Sequence, residues 1–333
     1  MIFHPSILAL YVASLLVSFM VLYSAFYGLQ ILRKWDIRSG SEIQLVLERK
    51  TYLISTLLTY VFGFEILSLF LFIYTVDRLH TFFVGAMCAA GTLYVNGFGY
   101  PALILKVVNF LLAGLWLILN YADNRGYDYP LIKTKYILLL NLAPLILVEM
   151  ALQANYFLRL DPHIITSCCG SLFSAGEQAL ASEMVALPSL PMKIVFYFAM
   201  ALTVASGLYC YRRGKGAYFL SMASAATFVI SLASILSFIS VYFYELPTHH
   251  CPFCILQKEY GYVGYPIYIT LLGGTISGIG PGLLMPFRGV KSLSGILPSI
   301  QKRLALLSAI LFLIFTLVVT YRMVFTDFIL EGY

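Results

Sequence analysis

The run Thr248-His249-His250-Cys251-Pro252-Phe253-Cys254-Ile255-Leu256-Gln257-Lys258-Glu259 is the densest set of chemically capable side chains in the sequence. Two cysteines separated by two residues can cycle between dithiol and disulfide, or they can hold a soft metal ion. For redox work the first sulfur needs help to ionise. His249, His250 and Lys258 are the cations on hand, and a helix start after the pair would add backbone N–H groups. A second pair, Cys168-Cys169, lies in a polar stretch and would serve as a mobile thiol station that exchanges with Cys251/Cys254.

The same atoms also make a metal site. His249, His250, Cys251, Cys254 and His163 are thiolate and imidazole ligands of the kind that suit zinc, copper or mercury. The third reading is a plain structural disulfide that pins a loop. Cys88 stands apart in sequence and reads as a small apolar residue, a spare thiol or a partner for the loop pair.

The elements that must position these groups are membrane helices. Of 333 residues 61% are hydrophobic and 11% charged, and the mean hydropathy is +0.89. Soluble domains carry about 25% charged residues. The expected fold is all-α, a polytopic integral membrane helical bundle with the lipid bilayer as its main partner. Eight spans are expected, near 5–32, 51–75, 101–121, 136–158, 191–211, 217–243, 265–286 and 304–325. Segment 36–50 reads as an interfacial helix, and Gly280-Pro281-Gly282 as a kink or break in the seventh span.

Most of the 21 basic residues fall in the short segments 33–50, 122–135, 212–216 and 287–303. The positive-inside rule then puts both termini outside the cytoplasm, in an inner (cytoplasmic) membrane. No basic residue precedes the first apolar run, so that run is expected to be a retained helix. This topology places Cys88, Cys168, Cys169, Cys251 and Cys254 on the extracytoplasmic side, where disulfide chemistry persists. Only Cys210 lies elsewhere.

Two loops share a pattern. One runs from Cys88 through Gly97 and Gly99 to Tyr100-Pro101. The other runs from Cys251 and Cys254 through Gly261 and Gly264 to Tyr265-Pro266. The parallel suggests a duplicated four-helix unit. The expected organisation is a membrane unit over 1–158, a Cys-Cys loop over 159–190 and a second unit over 191–333.

With these residues in view, the chain resembles bacterial DsbB and the vitamin K epoxide reductases. Cys251-Pro252-Phe253-Cys254-Ile255 is similar to the DsbB motif, and Lys258 falls where DsbB has an arginine beside its quinone. The loop-first order of Cys168/Cys169 and Cys251/Cys254 is that of the vitamin K epoxide reductases. The resemblance implies a membrane thiol–disulfide oxidoreductase that passes electrons between extracytoplasmic thiols and a membrane quinone. It implies a thioredoxin-like or cytochrome partner outside the membrane.

Two carboxylates, Glu65 and Glu149, fall within spans, with Lys106 in a third. Ionisable groups in lipid are expensive and read by default as functional. They suit proton delivery to a quinone, a cation path, or an ion pair with Lys106 that locks the bundle. No P-loop, dinucleotide fingerprint, zincin helix or haem-attachment motif occurs, and nothing points to nucleic acid.

Overall fold

The structure, a computed structural model, describes residues 4–37, 39–166, 187–328 and 330. All regular structure among them is helical. Among the described residues eight helices are long and apolar enough to cross a membrane, as the composition demands, so the chain is a multi-pass membrane protein.

The helices are α1 (Pro5–Lys34), α2 (Glu42–Arg78), α3 (Ala89–Leu93), α4 (Gly99–Asp123), α5 (Ile132–Leu158), α6 (Ser189–Arg213), α7 (Ala217–Ser234), α8 (Ser240–Tyr244), α9 (Gly264–Leu284) and α10 (Leu297–Val324). A π-helical turn, Ile235–Ile239, joins α7 to α8 within one span. Segment 36–50 does not make a separate interfacial helix. From Glu42 it forms the first turns of α2, because nothing in Glu42–Lys50 breaks a helix and the period continues into the apolar run.

The chain forms two compact units. The first comprises Met1–Thr75, Asn96–Asp161 and Phe287–Leu297. Its core includes Val21, Phe62, Trp116, Tyr136 and Leu139. The Phe62 and Trp116 rings meet edge-on at 4.9 Å. Lys135, read from sequence as a loop charge, is fully buried here, with its Nζ 2.6 Å from Asp123 Oδ2. Asp123 Oδ1 also accepts from the Leu131 backbone N–H at 2.8 Å, so the pair closes the α4–α5 turn.

The second unit comprises Val76–Val95, Pro162–Pro286 and Pro298–Tyr333. The Cys88 stretch, grouped from sequence with the N-terminal half, therefore packs with the C-terminal half. In this unit α7 packs on α6 and α9. Small residues let the α7 and α9 backbones approach. A Cβ on Gly278 would lie 2.0 Å from Ser224 Oγ. Pro281 does not break α9. Ser221 of α7 enters the backbone ladder there, donating to the Gly278 and Ile279 carbonyls at 3.1 and 2.9 Å. The Gly282 N–H donates to the same hydroxyl at 2.9 Å. One side chain thus inserts into the α9 backbone beside the proline. Cys210 is buried beside Ala217, Leu220 and Ala305 and reads as a core residue.

Candidate metal centre

Two segments of the second unit build the site. The first follows α2. Its last turn ends in a 3-10 turn, Leu79–Phe82, and the chain then reaches Cys88, the residue before α3. Gly85 makes this path possible. It sits at φ +89°, and a Cβ there would lie 2.1 Å from the Thr166 carbonyl oxygen. Thr166 donates its N–H to Val84 O at 3.0 Å and its hydroxyl to Gly91 O at 2.8 Å.

The second segment is the loop from Tyr244 to Gly264, with 3-10 turns at Cys254–Leu256 and Lys258–Tyr260. The C-x-x-C pair therefore does not open an α-helix. The next one starts at Gly264, which must be small because a Cβ would lie 2.9 Å from the Leu256 side chain and 3.0 Å from the Ile255 backbone.

Tyrosines and a carboxamide hold these segments. Tyr244, the last residue of α8, donates its hydroxyl to Cys251 O and accepts from the Ile255 N–H at 3.0 Å. Tyr268 of α9 donates to Pro252 O at 2.6 Å. Gln257 Nε2 donates to Met87 O at 2.8 Å and to Asp77 Oδ1 at 3.2 Å. Asp77 Oδ1 accepts from the Ala89 N–H as well, at 3.2 Å. One carboxylate thus ties the Cys88 segment to the C-x-x-C loop.

The result is a buried sulfur cluster. The Sγ atoms of Cys88, Cys251 and Cys254 all lie within 4.8 Å of one another. Cys88 and Cys251 are 3.5 Å apart, and His249 Nε2 lies 3.4 Å from Cys254 Sγ. Cys88 and Cys251 are 0% exposed and Cys254 5%. All three are thiols, not joined in a disulfide. A tetrahedral thiophilic ion, with bonds of about 2.3 Å to sulfur and about 2.0 Å to nitrogen, sets ligand edges of about 3.8 Å (S–S) and about 3.5 Å (S–N). The Cys88–Cys251 and Cys254–His249 contacts lie near those edges, and the group whose ligand atoms all lie within 4.8 Å of one another is the three cysteines without His249.

His249 is half-buried, with its ring edge-on to Tyr244 at 4.5 Å. Burial lowers its pKa from the ordinary imidazole value, Cys88 opposes that shift, and His250 adds to it. The neutral imidazole that results is the form that ligates metals.

The other sequence candidates are elsewhere. His250 Nδ1 donates to the Leu236 carbonyl of the π turn at 2.8 Å, so its ring anchors the loop. Lys258 is exposed on the following 3-10 turn, and His163 is exposed in the segment before Thr166. Cys168 and Cys169 lie outside the described residues. Glu65 and Glu149 belong to the first unit, where Lys106 Nζ lies 2.6 Å from Glu149 Oε1. The residue that sequence reasoning left out of the cluster is Cys88. Its one signal was the shared Cys-to-Tyr-Pro pattern of the two loops. Tyr244, Tyr268, Asp77 and Gln257 had no local signature.

No family model, curated protein or solved structure matches the chain.

Proposed function

We propose that this chain is a membrane protein that binds a soft metal ion through the thiolates of Cys88, Cys251 and Cys254 and the imidazole of His249. The observation that carries this reading is the convergence of three buried sulfurs within 4.8 Å, with His249 Nε2 3.4 Å from one of them. Thiolates in a buried site need a compensating charge, and a metal ion supplies it. Three thiolates leave a net charge of −1 around Zn(II) and −2 around Cu(I), so burial favours a dication of the zinc class. Binding releases the thiol protons, while His249 is already neutral.

Burial also weighs against thiol exchange as the main role. A soluble partner must bring a thiolate into line with the attacked sulfur, and these sulfurs are 5% exposed or less. The site lies at the end of α8 and the start of α9. Arg212, Arg213 and Lys215 mark the opposite end of the Ala217–Tyr244 span, and Arg288 and Lys291 follow the opposite end of the Gly264–Phe287 span. By the positive-inside rule the metal centre faces the extracytoplasmic side.

Differential alkylation in native membranes tests the proposal. Cys88, Cys251 and Cys254 are expected to resist alkylation until a chelator is added, under conditions that leave the fold intact. Rapid labelling without chelator would overturn it.

A second reading is favoured by the 3.5 Å contact between Cys88 and Cys251 and by an apolar groove of about 780 Å3 beside the site. Phe243, Tyr260, Val263, Leu317 and Phe325 are among its lining residues. In this reading Cys251 and Cys254 form a disulfide, and the Cys88 thiolate attacks Cys251. A Cys88–Cys251 bond forms and Cys254 leaves as thiolate. That exchange moves no electrons by itself. An extracytoplasmic dithiol then reduces the Cys88–Cys251 disulfide to two thiols and becomes a disulfide. A quinone takes two electrons and two protons from Cys251 and Cys254, leaving as quinol and restoring the starting disulfide. Quinone-dependent reoxidation of a Cys251–Cys254 disulfide would select this reading.

A further inference from the structure

The first unit holds a second cluster of charged groups, inside membrane-spanning helices. Glu65 and Ser68 come from α2, Lys106 and Asn109 from α4, and Glu149 from α5. Exposure is 5% for Glu65, 2% for Lys106, 0% for Asn109 and 3% for Glu149. Lys106 Nζ lies 2.6 Å from Glu149 Oε1 and donates to Ser68 Oγ at 3.2 Å. Asn109 Nδ2 donates to Glu149 Oε2. Ser68 Oγ donates to the Glu65 backbone carbonyl at 2.9 Å, and the charges that act on the Glu65 carboxyl are Glu149 and Lys106.

Two features set this cluster apart from a plain ion pair. The first is charge. Asp123 and Lys135 match one anion with one cation, whereas here two carboxyls share a single ammonium. With one ammonium, paired to Glu149, for two buried carboxyls, the second carboxyl is neutral unless another cation arrives.

The second feature is an unfilled acceptor. Asn109 turns its amide nitrogen toward Glu149, which fixes the orientation of the carboxamide. Its Oδ1 is buried and has no hydrogen-bond partner. A buried acceptor of this kind calls for a donor, and a water molecule carrying the exchanging proton is the smallest group that supplies one.

We propose that Glu65, Glu149, Lys106 and Asn109 form a proton-binding site within the membrane part of the protein. Glu65 holds the proton. Lys106 keeps Glu149 ionised, and a water at Asn109 Oδ1 exchanges the proton. The site is independent of the metal reading, because its residues belong to the other unit.

Infrared difference spectroscopy on the full chain in lipid nanodiscs tests this. The wild type is expected to show a protonated-carboxyl C=O band at neutral pH. The band should disappear as pH is raised and should shift on transfer to D2O. Glu65→Gln keeps the shape of the side chain and should abolish the band, while Glu259→Gln, at an exposed position, should leave it. A thermal-unfolding scan checks that each variant is folded, and Glu65→Asp, with the carboxyl retained, should restore a displaced band if the glutamine variant is not. A wild type without the band overturns the proposal. So does a band that survives Glu65→Gln, or one that fails to titrate or to shift in D2O.

Discussion

The sulfur of Cys88 lies 3.5 Å from the sulfur of Cys251, although 163 residues separate them in the chain. Bringing them together requires the end of α2 and the α8–α9 loop to meet at one place. Asp77 and Gln257 do that, with hydrogen bonds to both segments. A structural disulfide within Cys251-Pro252-Phe253-Cys254 would need none of this machinery. A site that needs a third sulfur would.

Cys88→Ser is therefore expected to weaken metal binding by at least tenfold, or about 1.4 kcal/mol, although Cys88 lies outside the C-x-x-C motif. Competition against a fluorescent zinc chelator measures it. Affinity equal to that of the wild type would remove Cys88 from the ligand set.

Acid should release the metal by way of His249. Above about pH 6.5, the ordinary imidazole value, this side chain is neutral in the folded and the unfolded chain and adds no pH dependence. Below it the unfolded chain takes up the proton first, because burial lowers the folded value. Its contribution to stability is thus lost as pH falls toward that lowered value. The apo protein's unfolding temperature should drop between pH 7.5 and 5.5, and the drop should be smaller in His249→Gln. Parallel curves for the two proteins would show that His249 is not the titrating group.

Tyr244→Phe removes one hydroxyl that both donates to Cys251 O and accepts from Ile255 N–H. Two buried backbone groups lose their partner, at a cost of about 1–3 kcal/mol. Thermal unfolding should register that loss, and the C-x-x-C thiols should become easier to alkylate. An unchanged unfolding temperature would mean that another group, or water, replaces the hydroxyl.

Gly85→Ala combines a left-handed backbone with a 2.1 Å approach to a carbonyl oxygen. A destabilisation of about 1–3 kcal/mol is expected, together with faster labelling of Cys88, because the Thr166 contacts on both sides of Gly85 must give. Slow labelling in a folded variant would show that Cys88 is held without them.

The spans were legible because lipid imposes one requirement, about twenty apolar residues per helix, and the chain meets it eight times. The start of α2 was not, because Glu42–Lys50 continues the helix in residues that composition assigns to water. His249, Cys251 and Cys254 were legible because the ligands lie within six residues of one another. Cys88 was not, since a lone cysteine among alanines looks like packing until the fold brings it to its partners. For the same reason Lys135 read as a surface charge until α5 buried it against Asp123. Local pattern reports which groups can react, and long-range contacts decide which of them meet.

Elemental analysis of the purified protein, with Cys251→Ser beside it, tests the central claim most directly. The account predicts about one equivalent of zinc-class metal per chain in the wild type, and a large loss in the variant at an unchanged helical content. Metal-free wild-type protein, purified without chelator and with Cys88, Cys251 and Cys254 reduced, would contradict it.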